Sequence, residues 1–200
     1  MHNINFHDEA MTPAAIRELS EGLIQSNIDI KWSTDARLDK GLNREVLNVA
    51  HKAGLSVLFF GLESINPRVL GLINKGTNPA EVERILRDTK DLNIWSHLFY
   101  ICGFPTETEA EFNETLKFIC DNNNVIASSG LSTYSMGLFS PVAQNPDKFE
   151  VSVKADRNPG NASLYYEFMR HSEQGLSHED IGGIFTQNVN RILIHTPTST

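Results

Sequence analysis

Cysteine is scarce in this sequence, which has only Cys102 and Cys120 among its 200 residues. Two separated thiols supply neither the four ligands of a structural zinc site nor a disulfide framework. Both fall in segments that predict a buried strand or helix face, and free cysteine behaves as a small hydrophobic residue. We therefore expect two plain buried thiols and no metal ligand.

Long apolar runs and a surplus of positive charge are also missing. The longest apolar run, residues 57–62, is far shorter than the about 20 residues that span a bilayer, and no signal-like segment opens the chain. The formal net charge of −8 disfavours non-specific nucleic-acid binding, which needs a basic surface. We predict a cytoplasmic protein whose partners include neither membranes nor nucleic acids.

Apolar strand-like runs alternate with helical spacing up to about residue 140. The predicted strands cover residues 4–6, 28–32, 57–62, 95–101 and 131–139. A capping side chain precedes proline at Thr12, Asn66 and Asn78, and Thr108 with Glu111 predicts a capping box. This alternation predicts parallel strands joined by helical crossovers, which is the α/β class.

About five βα units are too few for a complete eight-fold barrel, so the pattern leaves a partial barrel or an open sheet. The alternation of strand-like and helix-like segments stops after Pro141. Residues 143–163 predict loop or extension, and helices are predicted at 164–171 and 181–194. The predicted division is therefore a core domain at 1–142 and a C-terminal extension at 143–200.

Polar residues follow directly after four predicted strands, where ligands bind in barrels and open sheets alike. They are His7, Asp8 and Glu9; Thr34, Asp35 and Arg37; Glu63 and Ser64; and Gly103 to Thr106. A carboxylate at Glu63 follows a buried strand and needs a partner, either Lys75 itself or a ligand that Lys75 also binds. The simpler alternatives are a solvated turn for Asp8 or Glu9 and a helix C-terminal cation for Lys75.

Groups of both signs at one rim suit a zwitterionic ligand. Carboxylates there hold an ammonium group, and Lys75 or Arg37 holds a carboxylate through charge-assisted hydrogen bonds. Gly103 would allow a flat ring to approach the backbone closely.

Four motifs resemble those of the radical S-adenosylmethionine (SAM) enzymes, and they occur along the chain in the same order as in that family. F-G-L-E-S at 60–64, followed by Val69-Leu70 and Lys75-Gly76, resembles a strand ending in G-[VL]-[EQ]-S. Residues 101–108 resemble i-x-G-[FL]-P-G-E-T with threonine at the second glycine, residues 4–9 resemble f-x-D-D, and residues 32–39 resemble w-x-x-x-x-R-x-D. The resemblance covers about residues 3–149 and is nearest to the cobalamin-dependent-like and Elp3-like branches.

The resemblance implies an incomplete (β/α)6 TIM-type barrel of about five βα units with a C-terminal helical extension. SAM would bind at its C-terminal rim, and the implied binding residues are Asp8, Glu9, Arg37, Glu63, Ser64, Lys75, Gly103 and Pro105. Asp8 would contact the methionine ammonium group and Lys75 its carboxylate. Gly103 and Pro105 would shape the wall around adenine and ribose.

The family's C-x-x-x-C-x-x-C motif is absent from this sequence. We therefore expect a 4Fe-4S cluster only in a full-length form, with the cluster or a cobalamin-binding segment upstream, and assign no catalytic residue here. Its substrate would be an unknown small molecule or peptide. The alternatives are a cluster-free SAM-binding or scaffolding domain, and an unrelated hydrolase or lyase using His7, Asp8 and Glu63.

Overall fold

The computed structural model describes residues 2–154 and 164–192, without the side chains of Asp8, Glu9, Phe185 and residues 187–192. Its main sheet has five strands in chain order, and the first four pair in parallel. The strands are β1 (His2–Met11), β2 (Ile30–Ala36), β3 (Leu55–Glu63), β4 (Trp95–Cys102) and β5 (Ser128–Thr133). The helices between them are α1 (Pro13–Gln25), α2 (Arg44–Lys52), α3 (Pro67–Ile73), α4 (Pro79–Asp91) and α5 (Glu109–Asp121).

The remaining described elements are short, apart from the last helix. A 3-10 helix spans Pro146–Phe149. The others are β6 (Met136–Gly137), α6 (Pro141–Gln144), β7 (Val151–Val153), β8 (Tyr165–Tyr166), β9 (Phe168–Arg170) and α7 (His178–Ile192). β6 pairs with β8 and β7 with β9, both antiparallel. No helix among the described residues is long and apolar enough to cross a membrane.

The predicted helix caps are confirmed. Thr12, Asn66 and Asn78 each accept a hydrogen bond from a backbone N–H of the first helical turn, and a proline begins each helix. Thr108 and Glu111 form the reciprocal capping box at α5. Each cap satisfies donors that have no partner inside the helix, which fixes where the helix begins.

The chain forms two compact units, the first from Met1–Tyr100 with Thr115–Gly130 and the second from Ile101–Glu114 with Leu131–Thr200. In the first unit, α1, α2 and α4 bury their apolar faces in one core together with alternate residues of β2. Trp32 of β2 belongs to this core, and its indole N–H donates to the Ala53 carbonyl at 3.0 Å. The second unit buries Phe104, Phe112 and Phe168. In each unit the apolar residues at strand and helix period form the core.

Several predictions of elements are wrong. The strand predicted at 131–139 is two strands, because β5 ends at Thr133 and β6 pairs with β8. The helix predicted at 164–171 is the pair β8 and β9, and the predicted loop contains α6, a 3-10 helix and β7. Cys120, expected to be buried, is exposed. The helix predicted at 181–194 begins earlier, at His178, and its last two predicted residues lie outside the described part.

The two faces of β4 differ in their exposure to solvent. β4 alternates buried residues such as Leu98 with exposed ones such as Trp95 and Phe99. In the described residues, helices therefore cover one face of this strand, and the other face carries aromatic side chains that are accessible to solvent.

Candidate ligand-binding site

A cavity of about 620 Å³ lies where β2 and β3 end in the first unit. Its lining residues come from β1 to β4 and from the loops after β2 and α3: Ala10, Asp35, Ala36, Arg37, Leu38, Asp39, Phe59, Gly61, Glu63, Asn74, Lys75, Gly76, Thr77 and Phe99. Three carboxylates, one guanidinium and one ammonium group are among them. The cavity is thus lined by charges of both signs, as a zwitterionic ligand requires.

Glu63 is the last residue of β3 and has a left-handed backbone with φ 63°. The N–H of Ser64 donates to the Leu62 carbonyl at 2.8 Å, which closes a tight turn around Glu63. A left-handed conformation is unfavourable for a residue other than glycine, and such positions cluster at functional sites. The turn ends the strand and places the Glu63 carboxylate in the cavity.

Lys75 forms an ion pair with Glu63, which is one of the two arrangements that the sequence left open. Gly61 makes room for it, because a Cβ there would lie 2.5 Å from Glu63 Oε1 and 2.8 Å from Lys75 Nζ. Arg37 Nη2 donates to the Lys75 carbonyl at 2.8 Å and holds the loop after α3. Glu63, Lys75 and Arg37 are thereby brought together.

Ser64 is not brought to the cavity. Its side chain is fully buried, and its hydroxyl is hydrogen-bonded to Thr115 Oγ1 at 3.2 Å and accepts from the Asn66 N–H at 3.2 Å. These bonds tie the beginning of α3 to α5. The position of Ser64 supports a role in placing Glu63 and α3.

His7, Asp8 and Glu9 lie within β1 and do not follow it, contrary to the sequence prediction. β1 continues to Met11, which pairs with Ala36 after a register shift that follows Phe6. The side chains of Asp8 and Glu9 lie outside the described part, so their predicted contact with an ammonium group stays a prediction.

Gly103 and Pro105 belong to the second unit, and both are buried. Gly103 has φ 79°, and a Cβ there would lie 2.3 Å from Cδ1 of Ile181 in α7. The close approach that this glycine permits is therefore made by Ile181. Thr106, which replaces the glycine of the motif, has φ 68°, so this turn keeps the left-handed conformation that the motif's glycine adopts easily.

Glu107 is a buried carboxylate to which the sequence assigned no role. Oε2 accepts from the N–H groups of Gly103, at 2.7 Å, and Phe104, at 3.2 Å. Oε1 is buried without a hydrogen-bond partner in the described residues. Burial raises the pKa of Glu107 to about 7, although the two backbone bonds oppose the shift. The signal in the sequence is its position, four residues after the glycine that follows β4.

Neither cysteine belongs to a cluster of metal ligands. Burial raises the pKa of the Cys102 thiol to about 12, which disfavours the thiolate that ligates metals. Among the described residues, no group of three or more histidine, cysteine, aspartate or glutamate side chains is placed to hold a metal ion. The residues that the structure describes therefore do not fit a 4Fe-4S cluster.

The sequence pattern of the radical SAM superfamily matches residues 4–119. The chain belongs to the radical SAM superfamily. The match includes the strands and loops that line the cavity, and it confirms the resemblance inferred from the strand-end motifs.

Two curated relatives match this chain over part of their own length. An uncharacterized methyltransferase of Pyrococcus horikoshii is 31% identical over 117 residues, which is 58% of this chain and 25% of that protein. The bacteriochlorophyllide d C-12(1)-methyltransferase of Chlorobaculum tepidum is 28% identical over 121 residues, 60% of this chain and 25% of that protein. The match thus spans about a quarter of the length of these relatives.

Two solved radical SAM structures are similar in fold. The methyltransferase TsrM from Kitasatospora setae has a TM-score of 0.71 at 13% identity, over 92% of this chain and 43% of TsrM. The coproporphyrinogen III oxidase HemN from Escherichia coli has a TM-score of 0.69 at 16% identity, over 96% of this chain and 40% of HemN. The likeness confirms the predicted fold class, the partial barrel of βα units.

The sequence prediction missed the aromatic lining of the cavity. Phe59 and Phe99 line it beside the charged residues. The signal was available in the period of two at Trp95, His97 and Phe99, which places these three side chains on one face of β4. Strand alternation alone does not say whether such a face is covered.

Proposed function

We propose that this chain forms the SAM-binding portion of a radical SAM enzyme, with SAM held in the cavity after β2 and β3. The observation that carries the proposal is the Glu63–Lys75 ion pair in a cavity of mixed charge. The matched family supports SAM as the ligand.

In the proposed complex, Glu63 binds the ammonium group of the methionine moiety. Lys75 binds the carboxylate of the methionine moiety. Arg37 anchors the loop through the Lys75 carbonyl and lies beside Lys75. A zwitterion brings one counter-charge for each member of the ion pair, so neither Glu63 nor Lys75 is left unpaired when their mutual contact opens. Asp8 remains a proposed second acceptor for the ammonium group.

The iron–sulfur cluster belongs to a different segment in this proposal. When bound, a 4Fe-4S cluster supplies the electron that radical SAM chemistry needs, and its usual ligands are closely spaced thiolates. Cys102 and Cys120 do not fit that role. The chain's own contribution is to bind and orient SAM.

A cluster-free SAM-binding or scaffolding domain is the second candidate, because the mixed-charge cavity that would hold SAM consists of residues of this chain alone. The two candidates predict different coding sequences upstream of this chain. An in-frame C-x-x-x-C-x-x-C coding sequence upstream supports the enzyme, whereas a full-length reading frame without one supports the binding domain.

Calorimetric titration of the purified chain with SAM tests the proposal. We expect binding that is weakened at least about tenfold in Glu63→Ala and in Lys75→Ala, because each loses a charge-assisted hydrogen bond. The control is Arg87→Ala, which removes an exposed ion pair with Glu83 on α4, away from the cavity. Absence of SAM binding by a folded wild-type chain, or equal binding by all variants, contradicts the proposal.

A further inference from the structure

Four aromatic side chains form a continuous surface, the aromatic wall, on the open face of β3 and β4. Trp95, His97 and Phe99 alternate along β4, and Phe59 on β3 is paired in register with His97. The ring centroids of His97 and Phe99 lie 4.5 Å apart, and Phe59 lies 5.8 Å from His97 and 6.2 Å from Phe99. Trp95 is 51% and Phe99 43% exposed. The wall is an ordered aromatic surface that a ligand can reach.

Hydrogen bonds fix the polar atoms of this wall. The Trp95 indole N–H donates to Ser128 Oγ at 2.9 Å, and His97 Nδ1 lies 2.7 Å from the same oxygen. Ser128 Oγ accepts from Trp95 and has one hydrogen of its own to donate; we assign that hydrogen to His97 Nδ1, which places the imidazole proton on Nε2. Desolvation lowers the pKa of His97, which favours the neutral ring.

The Nε2–H of His97 is then available to a ligand. None of the described residues forms a hydrogen bond with Nε2, and the neighbouring residue on β5 is Gly130, whose lack of a side chain keeps this atom uncovered, since a Cβ there would lie 3.1 Å from it. A donor at the edge of an aromatic surface selects for a ligand that offers an acceptor in the plane of its ring.

The aromatic wall is continuous with the charged cavity. Phe59 and Phe99 line the cavity together with Glu63 and Lys75, and His97 contacts both phenyl rings. A molecule lying against the wall is therefore next to a ligand bound by the ion pair. This continuity makes a small-molecule substrate the fitting occupant of the wall.

We propose that the aromatic wall binds a flat conjugated ring that accepts a hydrogen bond from His97 Nε2–H, and that such rings are the substrate class of this protein. Its role as a substrate site rests on the proposed function, but the binding itself does not. Aromatic rings favour offset-stacked and edge-to-face contacts, which this surface offers from several directions, and the single donor orients the ring.

Binding of quinoxaline, a flat ring with in-plane nitrogen acceptors, tests the proposal in the absence of SAM. Saturation-transfer NMR titration of the full chain would compare it with cyclohexanone, which has an acceptor but no aromatic ring. We expect quinoxaline to bind the wild type more tightly than cyclohexanone. Phe99→Leu and His97→Phe should each weaken it at least about fivefold, since the first removes a ring and the second the donor.

The matched control is Phe139→Leu, because Phe139 is 85% exposed and lies outside the wall. It should bind quinoxaline as the wild type does, and urea unfolding would verify that all variants are folded. Equal binding of cyclohexanone, no quinoxaline binding, or unchanged binding by both wall variants overturns the proposal. Quinoxaline binding without SAM binding would refute only the SAM site, and the reverse result would refute only the wall.

Discussion

Replacing Glu107 with glutamine should remove a large part of the pH dependence of this protein's stability. Glu107 is fully buried, and Oε1 has no partner in the described residues. Glutamine keeps a carbonyl oxygen that can accept from the N–H groups of Gly103 and Phe104, as Oε2 now does. The substitution removes the titrating proton and leaves the shape of the side chain nearly unchanged.

The direction and size of the effect follow from the raised pKa. Burial raises the pKa of Glu107 from its ordinary 4.5 to about 7, with nearby Glu111 adding to the rise and Arg170 opposing it. Between these values the folded chain keeps a proton that the unfolded chain has lost. The resulting stabilisation is fully present below about pH 4.5 and is lost as the pH rises through about 7. At 1.36 kcal/mol per pKa unit, the loss is about 3 kcal/mol.

Urea unfolding followed by far-UV circular dichroism at pH 4.5 and pH 8 measures this difference. The free energy of unfolding of the wild type should fall by about 3 kcal/mol more than that of Glu107→Gln over this range. A Glu173→Gln variant is the control, because Glu173 is exposed in the same unit. Equal pH dependence in the wild type and Glu107→Gln would refute the reasoning.

Three further substitutions test local structure by thermal or urea unfolding. Thr106→Gly should stabilise the chain by about 1 kcal/mol, because φ is 68° there, and a loss of stability would contradict the strain. Gly54→Ala should cost about 3 kcal/mol or more, since its Cβ would lie 1.9 Å from the Ile30 carbonyl oxygen, and a near-neutral result would contradict that geometry. Asn66→Ala should cost about 1–2 kcal/mol and more than Asn78→Ala, because the Asn66 cap is buried, whereas equal losses would show that burial of the cap does not matter.

Local signals predicted the helices and most strands of the main sheet. The caps at Thr12, Asn66 and Asn78 act within a few residues of sequence, so a single sequence contains the whole interaction. The sequence at 164–171 does not determine its own conformation, because the tyrosines and phenylalanine there suit a strand as well as a helix. Its conformation is decided by pairing with β6 and β7, which are distant in the chain.

The charged part of the site was predictable for a similar reason. Glu63 ends an apolar strand, and a carboxylate there requires a partner that the next loop supplies in Lys75. The Ser64 hydroxyl was not assigned correctly by position alone, because its bond to Thr115 joins residues far apart in sequence. Likewise, Ile181 fills the space beside Gly103 from a helix that no local pattern relates to it.

Comparison of SAM with decarboxylated SAM by calorimetry tests the central claim most directly. If Lys75 binds the SAM carboxylate, the wild type should prefer SAM by about tenfold or more, as expected for a charge-assisted hydrogen bond. The preference should vanish in Lys75→Met. An undiminished preference in Lys75→Met would contradict the assignment of Lys75 to the carboxylate.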